Sequence, residues 1–175
     1  MAVKNKIWTI GHSTHPIIEF IKMLQSFGIE MLADIRTYPG SRFCPQFNED
    51  RLQVSLAEAA IDYEHMPQLG GRRKTRADSK NTAWRNASFR GYADYMETDE
   101  FKKGIEELEA LALKKPTAYM CSEAYWMRCH RSLVSDYLKT RGWDVEHISG
   151  IASSTEHTYT EPAHIVKGEL RYDKA

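Results

Sequence analysis

Three short runs hold most of the side chains able to do chemistry: Gly11-His12-Ser13, the pair Asp34 and Arg36, and Cys121 with Glu123 followed by Cys129-His130-Arg131. A thiol at a helix N-terminus beside cations ionises more readily than a free one, because the helix dipole and the neighbouring charge favour the thiolate. Cys129 is therefore the preferred nucleophile and Cys121 the reserve. His130 and Glu123 are the proton carriers, Glu123 either orienting His130 or acting as a general acid or base itself. Arg131, one or two residues into a helix, adds a planar fork of donors to free backbone N–H groups, which is the make-up of an anion site, and Arg36 approaches it from another strand end. His12, Ser13 and Asp34 line the same pocket. Taken singly, each residue also has a structural reading: His12 as a helix cap, Asp34 and Arg36 as an ion pair, Cys121 as a small core hydrophobe.

Spacing separates the possible chemistries. Six residues stand between Cys121 and Arg128, where cysteine phosphatases have five, so the likeness to thiol phosphatases and sulfurtransferases is loose. Cys121, Cys129, His130 and His12 are legitimate zinc ligands, but Cys-x7-Cys-His is not a common zinc spacing and no second CxxC pair exists. No metal and no cofactor is expected. A second constellation runs through a loop over 67–90, where residues 72–90 hold seven Lys or Arg, Arg72 and Arg73 among them, against the single acid Asp78. Trp84, Phe89 and Tyr92 interleave. Basic residues among aromatics suit a nucleotide or single-stranded nucleic acid, and a loop of this length also suits a lid over a small anion.

Alternating strands and helices must position these groups. Ile7–Ile10 reads as a strand ended by Gly11, and Pro16 opens a helix with Ile17, Ile21 and Leu24 on one face. Strands are expected over 31–35, 61–66, 117–121 and 143–148. Helices are expected from an Asn48 N-cap to about Ala60, near Ser88, from Thr98 to Lys115, and from 129 to Gly142. A terminal strand is expected within 165–172. The pattern predicts a single α/β domain over 1–175: a mostly parallel five-stranded sheet, order 3-2-1-4-5, with helices on both faces. The chemical residues then fall at strand C-termini, on the edge where such sheets bind ligands, at a switch point between the first and fourth strands.

Composition narrows the field. The chain has 175 residues, with 24 Lys and Arg against 24 Asp and Glu, 42% apolar and 27% charged. That is a globular composition, and zero formal net charge argues against a wholesale polyanion-coating role. No apolar run approaches the ~18 residues of a membrane span, and no signal-peptide pattern opens the chain, so no membrane partner is expected and the cytoplasm is the expected compartment. The three cysteines read as free thiols or ligands rather than as a disulfide framework. Nothing in the pattern specifies an oligomeric state.

Thr9-Ile10-Gly11-His12-Ser13, Asp34-Ile35-Arg36 with Pro39 and Ser41-Arg42, the Leu69-Gly70-Gly71 turn, Cys121-x-Glu123 with Cys129-His130-Arg131, the stretch Trp84–Tyr92 and the tail His157–Tyr172 together resemble the bacterial and archaeal domain of unknown function 488 family. The resemblance spans nearly the whole chain and implies a compact α/β domain with a polar pocket that includes the Cys-His-Arg turn. It supplies no activity. The residues themselves point to a thiol- or acid/base-dependent hydrolase or transferase acting on a phosphate-bearing or nucleotide-derived anion. A nucleic-acid-binding module using loop 72–90, and a non-catalytic ligand-binding protein, are the other two readings.

Overall fold

The computed structural model describes residues 4–174. Five parallel strands and one antiparallel strand form a sheet in the order β3-β2-β4-β1-β5-β6. They are β1 (Lys6–Gly11), β2 (Met31–Asp34), β3 (Asp62–His65), β4 (Thr117–Cys121), β5 (Asp144–Gly150) and β6 (Ser153–Glu156). The α/β class and the parallel sheet are as the sequence predicts. The order differs in one place: β4 stands between β2 and β1 rather than beyond β1. Burial explains it. All five residues of β4 and all four of β2 are buried, whereas β3 alternates exposed and half-buried. The observed order puts β4 at the centre of the five parallel strands, whereas the expected order puts β1 there, whose Lys6 is exposed and Trp8 half-buried; the strand buried along its whole length takes the central place. β1 and β4 are adjacent in either order, so the switch point stays where the sequence puts it.

Helices α1 (Ile17–Ser26) and α2 (Glu49–Glu58) cover one face; α3 (Ala87–Tyr95), α4 (Asp99–Lys114) and α5 (Arg131–Thr140) cover the other. The period-two alternation of each strand divides the core accordingly. Ile10, Leu32, Ala118 and Met120 pack with Phe20, Leu24, Leu52 and Leu56. Ile7, Ala33, Tyr119 and Val145 pack with Phe101, Ile105, Leu133 and Val134. Thr98 caps α4 through Phe101 N–H (3.3 Å). Asn48 precedes α2 but does not cap it, because its Oδ1 accepts the Ser41 N–H at 2.7 Å instead. The strand expected within 165–172 is a separate hairpin, β7 (His164–Val166) and β8 (Glu169–Arg171), turning through Lys167 and Gly168 at positive φ. β6 is polar throughout and shows no apolar alternation by which a sequence would reveal it.

Candidate active site

A cavity of about 400 Å³ opens at the C-terminal ends of β1, β2 and β4. His12, Arg36, Arg72, Cys121, Glu123, Arg128, Cys129 and His130 line it, with Tyr38, Phe89 and Tyr92. Gly11 lets its floor form: a Cβ there would overlap the Glu123 carbonyl, so only glycine allows the loop after β4 to cross the end of β1. Gly71 stands against His130, where a Cβ would make a tight contact 3.1 Å from Nδ1.

Cys129 and His130 form a hydrogen-bonded pair at the entry to α5. Cys129 Sγ lies 3.4 Å from His130 Nδ1, and His130 Nε2 lies 3.0 Å from the Ile35 carbonyl. A carbonyl only accepts, so the ring proton is on Nε2 and Nδ1 faces the thiol bare. Burial holds the His130 pKa below its ordinary value, leaving a neutral base. Burial would raise the Cys129 thiol, but the Cys121 side chain, the Arg131 charge and the Arg131 N–H at 3.4 Å outweigh it and bring the thiol below its ordinary range. Cys121 moves the other way, kept protonated by burial and by Cys129. Its S–H donates to the Glu123 carbonyl at 3.7 Å.

Arg131 does not line the cavity. It is 1% exposed and sits behind the floor, donating from Nη1 to Thr9 Oγ1 (3.2 Å) and from Nη2 to the carbonyls of Glu123 (2.9 Å) and Ala124 (3.4 Å). Its backbone position at the helix start is as the sequence predicts; its side chain points inward. Arg128, three residues earlier in the 3₁₀ turn Trp126–Arg128, is the arginine that lines the cavity from this segment, its guanidinium 5.3 Å from the Tyr125 ring. The sequence offered Arg128 only as a spacing mark from Cys121. Arg72 joins it across the mouth, above the Tyr38 ring at 5.7 Å. Among the described residues neither Arg72 nor Arg128 is paired with a carboxylate, and Glu123 has no cation partner.

The remaining predicted site residues separate into contact and support. Arg36 reaches the cavity but is clamped by Asp34, Nε to Oδ1 at 2.9 Å and Nη2 to Oδ2 at 2.7 Å, while Tyr63 donates to the same carboxylate at 2.6 Å. Asp34 is 0% exposed and belongs to this ion pair, not to the lining. His12 stacks on Phe47 at 4.3 Å, donates from Nδ1 to the Ser13 carbonyl (2.9 Å) and accepts from Arg36 at Nε2 (3.3 Å). Burial lowers its pKa to about 4. Ser13 supports through its backbone at φ 47°, its N–H donating to the Ser122 carbonyl. Arg73 is spent on the Tyr95 ring (3.7 Å) and the Gly70 carbonyl (3.2 Å) and lies off the cavity.

The 67–90 segment is an ordered strap. Pro67–Leu69 forms a short 3₁₀ turn, and the buried Asp94 of α3 accepts from Arg76 N–H (2.8 Å), Ser79 (2.6 Å) and Asn81 (2.7 Å). Trp84 and Tyr92 are core residues, 8% and 1% exposed, rather than displayed platforms.

One assembly had no local signal. Asp136 accepts from His157 Nε2 (2.8 Å), His157 Nδ1 from His147 Nε2 (2.8 Å), His147 Nδ1 from Thr9 (2.6 Å), and Thr9 from Arg131. Every donor points the same way, from a buried cation to a buried carboxylate. Among the described residues no group of three or more His, Cys, Asp or Glu is arranged to hold a metal ion, and no helix is long and apolar enough to cross a membrane.

Comparison with known proteins adds one match. The family profile described as Domain of unknown function DUF488 covers residues 16–138, which reach from the start of α1 through most of α5 and include Asp34, Arg36, Arg72, Cys121, Arg128, Cys129 and His130. No curated protein and no solved structure matches.

Proposed function

We propose that this chain, which belongs to the family described as Domain of unknown function DUF488, is an enzyme acting on an anionic substrate, phosphate-bearing or nucleotide-derived, through the thiol of Cys129. One observation carries the reading: Cys129 faces an acceptor nitrogen of His130 whose other nitrogen is pinned by the Ile35 carbonyl, the nucleophile–base–orienter arrangement of thiol catalysis. The Cys129 thiolate attacks the electrophilic centre. A bond forms from Sγ as the bond to the leaving group breaks, and the leaving group takes the proton that Nδ1 received from the thiol. Water or a second acceptor then displaces Sγ, giving its proton to His130 or Glu123, which makes the enzyme a hydrolase or a transferase. Arg72 and Arg128, cations without carboxylate partners, hold the anion at the mouth. Chemistry on free thiols fits the reducing cytoplasm.

The test uses iodoacetate, itself an anion, against neutral iodoacetamide, with each cysteine followed by mass mapping in the full chain. In the folded protein Cys129 reacts faster than Cys44, and its iodoacetate-to-iodoacetamide rate ratio exceeds that of the same thiol in the urea-unfolded chain. Arg128→Gln lowers the ratio and leaves the iodoacetamide rate nearly unchanged. A ratio equal in folded and unfolded chains removes the anion site, and a Cys129 no faster than Cys44 removes the nucleophile.

A further inference from the structure

The proposed chemistry uses one of two thiols in the cavity and leaves Cys121 without a task. Cys121 ends β4 and Cys129 precedes α5, and both line the same space. Arg131 ties the two together. Its N–H donates to Cys129 Sγ (3.4 Å), and its Nη2 donates to the Glu123 carbonyl (2.9 Å) that also accepts the Cys121 S–H (3.7 Å). Seven residues join them: Ser122 to Tyr125 are exposed and carry no helix or strand, and Trp126–Arg128 form a short 3₁₀ turn that brings the chain back to the same cavity. Cys44 lies in the core on the opposite face of the sheet, packed with the α1 and α2 side chains.

We propose that Cys129 and Cys121 form a peroxide-responsive pair that closes to an intramolecular disulfide and shuts the site. The inference rests on Cys129 being the reactive thiol. The Cys129 thiolate attacks one oxygen of a hydroperoxide: an S–O bond forms, the O–O bond breaks, and the departing oxygen takes a proton and leaves as water or an alcohol. Sulfur is oxidised to sulfenic acid and the peroxide is reduced. Cys121 then gives up its proton and attacks Cys129 Sγ; the S–S bond forms, the S–O bond breaks, and water leaves. An external dithiol returns both thiols by exchange. The division of roles follows from the surroundings: Arg131 and its N–H favour charge on Cys129, while the apolar burial of Cys121 keeps it protonated until a sulfenic acid stands in front of it.

The experiment treats the reduced full chain with hydrogen peroxide, blocks free thiols with iodoacetamide under denaturing conditions, and maps the peptides without reduction. The expected product is a linked 121–129 peptide pair with Cys44 alkylated, reversed by dithiothreitol. In Cys121→Ser the same treatment leaves Cys129 as sulfinic acid, because nothing resolves the first oxidation. If wild-type Cys129 goes to sulfinic acid while Cys121 remains alkylatable, the pairing is wrong and the nucleophile reading stands. If neither thiol oxidises faster than Cys44, the pair falls together with the nucleophile reading.

Discussion

A guanidinium that is 1% exposed and has no carboxylate within 4 Å among the described residues, as at Arg131, is an expensive thing to bury. Two groups make it tolerable. Cys129, held toward the thiolate by the Arg131 charge, accepts the Arg131 backbone N–H, and Asp136 stands at the far end of the Thr9–His147–His157 chain. That chain runs in one direction only while His147 is neutral: Nδ1 must accept from Thr9 while Nε2 donates to His157. Burial, His157 and Arg131 hold His147 down to about 2, and burial holds His12 down to about 4. Both values lie below the unfolded one near 6.5, so the unfolded chain binds the extra protons. The stability these rings supply is complete above pH 6.5 and is lost progressively as pH falls from there toward their folded values. Urea unfolding at pH 7 and pH 5 checks it. The wild type loses more stability over this interval than His147→Gln does, by about 2 kcal/mol, the linkage of one proton bound at 6.5 only in the unfolded state. Equal losses in the two proteins would show that His147 carries no such linkage.

The elements were legible where their periodicity was local. The apolar runs of β1, β2 and β4 and the 3.6-residue patterns of α1, α4 and α5 are carried by neighbouring residues, and they fall where the sequence puts them. Helix position, however, fixes only a backbone. Arg131 is in the first turn of α5 as expected, but nothing within its own helix says that its side chain turns under the 123–124 carbonyls while Arg128 takes the mouth. The order of the 67–90 segment was out of sight for a similar reason. Its charges are local, whereas its order comes from α3, through Asp94. Burial would raise that carboxyl, but donors from Ser79, Arg76 N–H and Asn81 bring it below its ordinary value. Asp94→Ala removes the shared acceptor of all three. Limited trypsin digestion of that variant is expected to cut within 74–80 at least tenfold faster than in the wild type, while the core fragments resist as before. Equal cutting rates would mean that the strap is held by its other contacts, such as the Arg90 bonds to the Trp84 carbonyl.

At the scale of the whole molecule the switch point decides where chemistry gathers. The connection after β1 leaves toward α1 on one face, and the connection after β4 leaves toward α5 on the other, so a crevice opens between the two central strands wherever their C-termini part. This holds for the observed strand order as for the expected one, which is why the cavity lies at the strand ends expected from sequence although β4 was placed on the wrong side of β1. The chain that joins Thr9, Asp136, His147 and His157 was out of reach, since it links the first strand to three separate segments near the other end of the chain. Because the net formal charge is zero, a general attraction for anions is not expected of the fold, and any that exists is local. Arg72 comes from the strap and Arg128 from the loop before α5, so an anion between them would bridge two elements that unfolding separates. Phosphate is therefore expected to stabilise the folded chain, by about 1.4 kcal/mol when its concentration is about ten times its Kd. Chloride at matched ionic strength is not. Arg128→Gln and Arg72→Gln each reduce the increment, and the double variant abolishes it, without lowering the phosphate-free midpoint, because neither guanidinium is paired with a carboxylate. Arg36→Gln, by contrast, lowers the phosphate-free midpoint by stranding the buried Asp34. A phosphate increment that survives in the Arg72/Arg128 double variant would place the anion elsewhere on the surface and separate the thiol pair from any anionic substrate.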